Sequence, residues 1–223
     1  MSGRVVSVRA GRARVMARPA WDHRAEREYT SAYIKDEVPG PVMVGPLGLD
    51  GDEQVDKANH GGPHMAVLAY GAGHYPRWRE ELGIEGFGHG AFGENLAVDG
   101  DDETSVCVGD RFAAGGVVVE VASPRGPCAD ISRRWDREDL LRRVTETGRT
   151  GWYLRVIQPG RIAVGDAVTR VAQPHPQWPV GRVFHYYTRQ ARDAEGLRAL
   201  IALEVLSPTW REAFERRLAH PDE

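Results

Sequence analysis

Cys128 lies in a setting where a thiol could do chemistry. It ends the segment Ser-Pro-Arg-Gly-Pro-Cys at positions 123–128, and the apolar run before it, residues 116–122, is typical of a buried strand. Two prolines and a glycine predict a stiff turn at the end of that strand. Arg125 is three residues before the cysteine, and a nearby cation lowers the pKa of a thiol. Cys128 is therefore either a reactive thiolate presented by this turn or a buried structural cysteine.

A second candidate segment begins at Lys57 and contains His60-Gly61-Gly62-Pro63. Two glycines allow the backbone to approach a ligand closely, and free N–H groups in such a turn can hold an anion. Lys57 adds a positive charge three residues earlier. The alternative is a plain turn before the apolar residues 65–70. If His60 and Cys128 meet in space, the pair could also serve a thiol hydrolase.

Two more polar residues stand next to apolar runs. Asn95 follows a glycine-rich loop, residues 83–93, and could form hydrogen bonds to a ligand amide or heterocycle, or simply start a strand. Arg155 lies within the apolar run 151–157 and needs an anionic partner if it is buried there; pointing outward, it would only be solvated. Cys107, between two valines, is expected in the core.

Several kinds of site are excluded by the motifs. The chain has no C-x-x-C, no H-E-x-x-H, no phosphate-binding G-x-x-x-x-G-K-[ST] loop and no serine nucleophile elbow. A net charge of −3 over 223 residues offers no basic surplus for nucleic acid. Without a signal peptide or a long apolar stretch we expect no membrane partner and a cytoplasmic location, and the two cysteines are expected to be free thiols.

The pattern of elements predicts a mainly β fold with peripheral helices. Many short β-prone runs are separated by turn signals, which favours a mostly antiparallel barrel or sandwich. Residues 10–29 predict a loop, at most with a helical turn. Residues 129–147 predict one helix, capped by Asp130 or Asp136 and ended by Gly148.

The C-terminal part changes character. Residues 173–179 are proline-rich and predict a linker. Three short helices should follow, over residues 180–189, over residues 193–203 and from Ser207 onward, where Pro208 occupies the first helical position. We therefore divide the chain into a barrel domain (1–172), a linker (173–179) and a three-helix unit (180–223).

Taken in order, the motifs resemble the MOSC domain, which is named after the C-terminal domain of molybdenum cofactor sulfurases. The resemblance is to the YiiM-like branch, in which a three-helix unit follows the barrel. The matching segments are Gly51–Asp56, His60–Pro63, Phe92–Leu96, Val108–Asp110, Pro124–Cys128, Trp152–Val156 and, in the last helix, Leu206–Arg211 with Phe214.

The resemblance implies a MOSC-type β-barrel that binds the molybdenum cofactor, a molybdenum–molybdopterin group. Cys128 would be the catalytic residue and the metal ligand, in line with the softness of a thiolate. It implies reduction of an N-hydroxylated small molecule of the hydroxylaminopurine or amidoxime type, with electrons from a separate reductase. The residues expected to bind the cofactor are Ser31, Lys35, Lys57, His60, Asn95, Arg125 and Arg155. No motif assigns residues 10–29. The alternative is a cofactor carrier or sulfur-transfer module that binds the pterin without reductase turnover.

Overall fold

The computed structural model describes residues 2–188 and 193–220. Its strands are β1 (Ser2–Ala10), β2 (Arg14–Ala17), β3 (Glu28–Ser31), β4 (Asp36–Glu37), β5 (Val42–Gly45), β6 (Gly48–Leu49), β7 (Val67–Gly71), β8 (Leu96–Val98), β9 (Arg111–Ala114), β10 (Val117–Pro124), β11 (Trp152–Gln158), β12 (Gly160–Ile162) and β13 (Ala167–Ala172). Its helices are α1 (Lys57–His60), α2 (His74–Leu82), α3 (Asp130–Trp135), α4 (Leu140–Thr147), α5 (Val180–Thr188), α6 (Ala194–Ile201) and α7 (Pro208–Ala219), with a 3₁₀ turn at Pro63–Met65.

Seven strands close into a barrel. Their order is β13-β9-β10-β11-β7-β8-β1, and β1 pairs back to β13, with β4 added at the end of β1. Every pair in this ring is antiparallel except β7–β8, which is parallel. The predicted mainly β barrel with peripheral helices and a C-terminal three-helix region is confirmed. None of the described helices is long and apolar enough to cross a bilayer.

Strand alternation decides which side chains face the site. On β11, Trp152 and Leu154 belong to the buried apolar cluster that fills the barrel. Since successive side chains of a strand point to opposite faces, Tyr153 and Arg155 are on the outer face. The outer face near the end of β10 is where the Cys128 turn leaves the barrel.

A second apolar cluster supports that turn from outside the barrel. Trp78 of α2, Phe92 of the glycine-rich loop and Ile131 of α3 are fully buried in it, together with Leu140 and Val144 of α4. The cluster therefore fixes α3, which begins two residues after Cys128, and the loop before Asn95 against the same side of the molecule.

Two predictions about local structure were wrong. Residues 10–29 were expected to form a loop, at most with a helical turn. They contain the strand β2, and Arg14–Ala17 of β2 pairs antiparallel with Glu28–Ser31 of β3. The single helix predicted for 129–147 is two helices. Asp136 adopts a left-handed conformation (φ 48°) that ends α3, so Asp136 is a helix end and not the N-terminal cap of one long helix.

The C-terminal helices pack on each other and on the barrel. Phe184 of α5, Leu200 of α6 and Phe214 of α7 share one buried cluster with Val108 of the barrel domain. The backbone N–H of Ser207 donates to Ala122 O on β10 at 2.9 Å. The proline-rich segment is packed as well, since Trp178 is buried and its carbonyl accepts from Val108 N–H at 3.0 Å. The domain boundaries stay a prediction, and residues 189–192 and 221–223 of the predicted three-helix unit lie outside the described residues.

Candidate functional site

A cavity of about 360 Å³ lies on the outer face of the barrel, beside the end of β10. Six of the eight residues singled out from the sequence line it: Ser31, Lys35, His60, Asn95, Arg125 and Cys128. These residues come from four separate parts of the chain, and the fold brings them together. Lys57 and Arg155 are not among the described lining residues.

The turn that carries Cys128 is held at both ends. After β10 the Arg125 N–H donates to Gly151 O at 3.0 Å, and the Cys128 carbonyl accepts from Ile131 N–H at 3.2 Å as α3 begins. Cys128 is a half-buried free thiol, whereas Cys107 is buried away from the cavity as expected. The stiff turn therefore presents one thiol to the cavity.

His60 and Cys128 form a hydrogen-bonded pair. Burial by itself raises the pKa of the Cys128 thiol, but the hydrogen bond from His60 and the positive charge of Arg125 outweigh burial and hold this pKa below its ordinary value. The same hydrogen bond is the main reason that the pKa of His60 is raised. The two shifts favour a thiolate next to a protonated imidazole.

Arg125 is a buried cation with spare hydrogen-bonding capacity. Its side chain is only 3% exposed, and Nη2 donates to Phe92 O at 3.2 Å. Nη1 is buried and has no hydrogen-bond partner among the described residues. Burial lowers the pKa of Arg125, but its aromatic and thiol neighbours Tyr33 and Cys128 more than offset this, so the net shift is upward and the group stays charged. A buried guanidinium of this kind is a ready donor for an anionic ligand.

Lys35 and Asn95 line the cavity but are engaged by Asp52. The Lys35 ammonium forms a buried ion pair with Asp52. Asn95 Nδ2 donates to Asp52 Oδ2 at 2.9 Å and to Arg9 O at 3.2 Å, while its Oδ1 accepts from Leu68 N–H at 3.0 Å. The amide of Asn95 is thus used within the protein, and its evident role is to hold the cavity wall.

Ser31 connects the N-terminal hairpin to the helix after Cys128. Its hydroxyl donates to Asp130 Oδ2 at 2.7 Å, and Arg133 Nη1 donates to Asp130 Oδ1 at 2.8 Å. Arg133 Nε also donates to Asp22 at 2.7 Å. Residues 10–29, which no motif assigned, therefore pack against the site.

Arg155 is not among the described lining residues, but it has the anionic partner expected of an arginine in an apolar run. It is the register partner of Glu120, and the two side chains form an ion pair on the outer face of β10 and β11. Glu120 is almost fully buried and also accepts from Arg111 Nε at 2.7 Å. Arg155 therefore neutralises a buried carboxylate outside the cavity. Lys57 is exposed at the first position of α1.

Other lining residues were missed by the sequence analysis: Arg18, Tyr29, Tyr33, Asp52, Asp130, Arg133 and Tyr153. Strand alternation could have identified Tyr153, because its neighbours on β11 are inward-facing apolar residues. Asp52 was part of a quoted motif without a role. The others lie in or against the N-terminal hairpin, where the sequence carries no periodic signal.

Comparisons with known proteins agree with this architecture. The model of the MOSC domain matches residues 56–169, and that of the "YiiM-like, 3-alpha helix domain" matches residues 178–220. Protein YiiM of Escherichia coli is 34% identical over 192 residues, covering 84% of both chains. A protein of Gibberella moniliformis named "Reductase" is 38% identical over 181 residues, which cover 80% of this chain but 31% of that protein.

A solved structure shows the same fold. The crystal structure of YiiM from Geobacillus stearothermophilus superimposes with a TM-score of 0.80 at 31% identity, covering 97% of this chain and 99% of that chain. The match includes both the barrel and the C-terminal helices. The protein described here therefore belongs to the MOSC domain family, with the YiiM-like three-helix domain after its barrel.

Proposed function

We propose that this protein is a molybdenum-cofactor-dependent oxidoreductase that reduces N-hydroxylated compounds of the hydroxylaminopurine or amidoxime type. The observation that carries the proposal is the Cys128 thiol, which lies in one cavity with His60 and the buried Arg125. The MOSC family is associated with molybdenum cofactor binding, and one relative is named a reductase. A separate electron-donor reductase and a cytoplasmic location are parts of the proposal.

The residues present fit such a cofactor. Cys128, whose pKa is lowered, offers the soft thiolate that molybdenum accepts as a ligand. The unpartnered, buried Nη1 of Arg125 offers a charge-assisted donor to an anionic group on the pterin. Ser31, Lys35 and Asn95 shape the wall. From their positions outside the cavity, Lys57 and Arg155 are weaker candidates.

The overall reaction would be N–OH + 2e⁻ + 2H⁺ → N–H + H₂O. When bound, the molybdenum cofactor supplies the two-electron reduction of the N–O bond. In this chain Cys128 would hold the metal, Arg125 would anchor the negative charge of the pterin, and His60 would hold a proton beside the sulfur. The partly buried aromatic residues Tyr33 and Tyr153, which line the same cavity, would limit water around the thiolate.

Molybdenum content and turnover test the proposal together. Protein made in a cofactor-competent host should contain molybdenum and reduce 6-N-hydroxylaminopurine with dithionite-reduced methyl viologen. Cys128→Ser should lose both, and Cys107→Ser, the matched control, should keep both. Wild-type protein without molybdenum, or a Cys128→Ala variant that turns over normally, would refute it. Molybdenum without any turnover would favour the carrier or sulfur-transfer module instead.

The contact between His60 and Cys128 favours one further candidate, a thiol hydrolase. This alternative predicts ester hydrolysis by metal-free protein, abolished by alkylation of Cys128 and by His60→Gln. If metal-free protein shows no such activity, the alternative is excluded.

A further inference from the structure

The arm, defined here as residues 11–35, forms one wall of the cavity. It precedes the region matched by the MOSC model, which begins at residue 56. The lining residues that it supplies are Arg18, Tyr29, Thr30, Ser31, Ala32, Tyr33 and Lys35. The arm thus adds to the cavity a surface that the matched MOSC region does not contain.

The outer part of this wall is distinct from the part near the thiol. The charges that act on Tyr33 are mainly those of Arg125 and Cys128. Tyr29 is instead surrounded by the charges of Asp130, Arg133, Arg18 and Asp22. A ligand whose reacting group reaches Cys128 would therefore present its remote end to Tyr29.

Ion pairs hold this outer wall rigid. Asp22 Oδ2 accepts from Arg18 Nη1 at 2.9 Å and from Arg133 Nε at 2.7 Å, and Asp22 is only 7% exposed. Both guanidinium groups lie over the Tyr29 ring, at 4.9 Å and 5.1 Å from its centre. The Tyr29 ring is therefore positioned before any ligand binds.

Two hydrogen-bond donors in this wall have no partner in residues 2–188 and 193–220. The Tyr29 hydroxyl and Arg18 Nε are both buried and unpartnered among the described residues. A buried polar group without a hydrogen bond is costly, and each such group calls for an explanation. Both residues line the cavity, so a ligand with hydrogen-bond acceptors would satisfy them.

The charge of the wall indicates what kind of ligand this is. Arg18 and Arg133 are neutralised by Asp22 and Asp130, so the wall offers donors without a surplus of positive charge. Burial raises the pKa of Tyr29 to about 12, so its hydroxyl is a neutral donor. A neutral acceptor suits such a surface better than an anion.

We propose that Tyr29 and Arg18 are specificity-determining residues that bind a ring nitrogen or carbonyl oxygen at the remote end of a neutral, planar substrate. This inference rests on the proposed function. It predicts that N-hydroxylated heterocycles with such acceptors are preferred over amidoximes on a plain aromatic ring.

The test compares two substrates with one electron donor, dithionite-reduced methyl viologen. N4-hydroxycytosine has ring acceptors, whereas the phenyl ring of benzamidoxime has none. Tyr29→Phe should lower kcat/KM for N4-hydroxycytosine about three- to ten-fold, the effect of one neutral hydrogen bond, mostly through KM. Benzamidoxime reduction should not change. Arg18→Lys keeps the charge but removes Nε, and should show the same selectivity. Tyr187→Phe, on the exposed side of α5, is the matched control.

Equal losses for both substrates, or no loss for either, would overturn the inference and leave Tyr29 a structural residue. If wild-type protein reduces neither substrate, the proposed function fails. The role of Tyr29 in ligand binding is then tested separately, by the affinity of the protein for cytosine. Cytosine should then bind cofactor-free wild-type protein in calorimetry and bind Tyr29→Phe more weakly. Equal binding to both proteins, or no binding to wild type, would overturn the inference.

Discussion

The imidazole of His60 is hydrogen-bonded to the sulfur of Cys128, and this contact joins the α1 segment to the turn after β10. The two residues are far apart in the sequence, and each has another possible role when considered alone. Together with Arg125, His60 favours the thiolate form of the half-buried Cys128.

Removing His60 should make Cys128 less reactive. The pKa of Cys128 is held below its ordinary value, so the thiolate persists to lower pH than in a free thiol. His60→Gln removes the hydrogen bond and should move the pH profile of iodoacetamide alkylation to higher pH in cofactor-free protein. The buried Cys107, followed by mass spectrometry in the same sample, is the internal control. An unchanged profile would mean that His60 does not stabilise the thiolate.

Asp22 should make the stability of the protein sensitive to acid. Its hydrogen bond from Arg133 is the main cause that lowers the pKa of Asp22 from 3.8 to about 2. Because the folded pKa is below the unfolded one, the stabilisation is present above about pH 4 and is lost as the pH falls towards 2. Urea unfolding of wild type and Asp22→Asn should therefore differ at pH 7 and converge near pH 2. Glu26→Gln, on the exposed part of the arm, is the matched control, and its free energy of unfolding at pH 7 should equal that of wild type.

Loss of Arg155 should lower the stability of the protein, whereas loss of Arg125 should lower its molybdenum content. Arg155→Gln leaves Glu120 with Arg111 as its remaining ion-pair partner and should lower the free energy of unfolding by about 1–3 kcal/mol. The molybdenum content of the Arg155→Gln variant should match that of wild-type protein. Arg125→Gln removes the unpartnered donor in the cavity and should lower molybdenum content. If Arg155→Gln empties the site and leaves the unfolding free energy unchanged, Arg155 is a cofactor ligand after all.

Gly93 should not tolerate a side chain. Its φ of 71° is in the left-handed region, and a Cβ atom would lie 3.0 Å from the Tyr33 ring. Gly93→Ala should cost about 1–2 kcal/mol of unfolding free energy from the backbone alone and should displace Tyr33 in the cavity wall. Gly88→Ala in the same loop meets no atom within 4 Å and has no such φ. Equal stability of the two variants would contradict the role given to Gly93.

The glycine and proline signals allowed the fold to be predicted, but they did not give the register of every strand. Short apolar runs separated by turns indicated the barrel, and Ser207-Pro208 correctly marked the start of α7. Residues 10–29 were predicted wrongly because β2 gains its order from pairing with β3, and the segment around Asp22 from its contact with Arg133 of α3, not from local periodicity. The break at Asp136 was missed because a non-glycine residue in a left-handed conformation is rare.

The sequence by itself determined which residues could do the chemistry: one cysteine on a stiff turn, an arginine three positions before it, and His60 in a glycine-flanked segment. Only the tertiary structure decided which of them meet. Arg155 and Arg125 are both arginines near apolar strands, yet strand register pairs Arg155 with Glu120. The turn leaves Arg125 buried beside Cys128, and its Nη1 has no partner within the part of the chain that the structure describes. The reason is physical. A residue's type sets what it can donate or accept, but its partner depends on long-range packing. Packing also brings to the site Asp22 and Tyr29, from a segment without a motif, and Asp52, from a motif that assigned it no role.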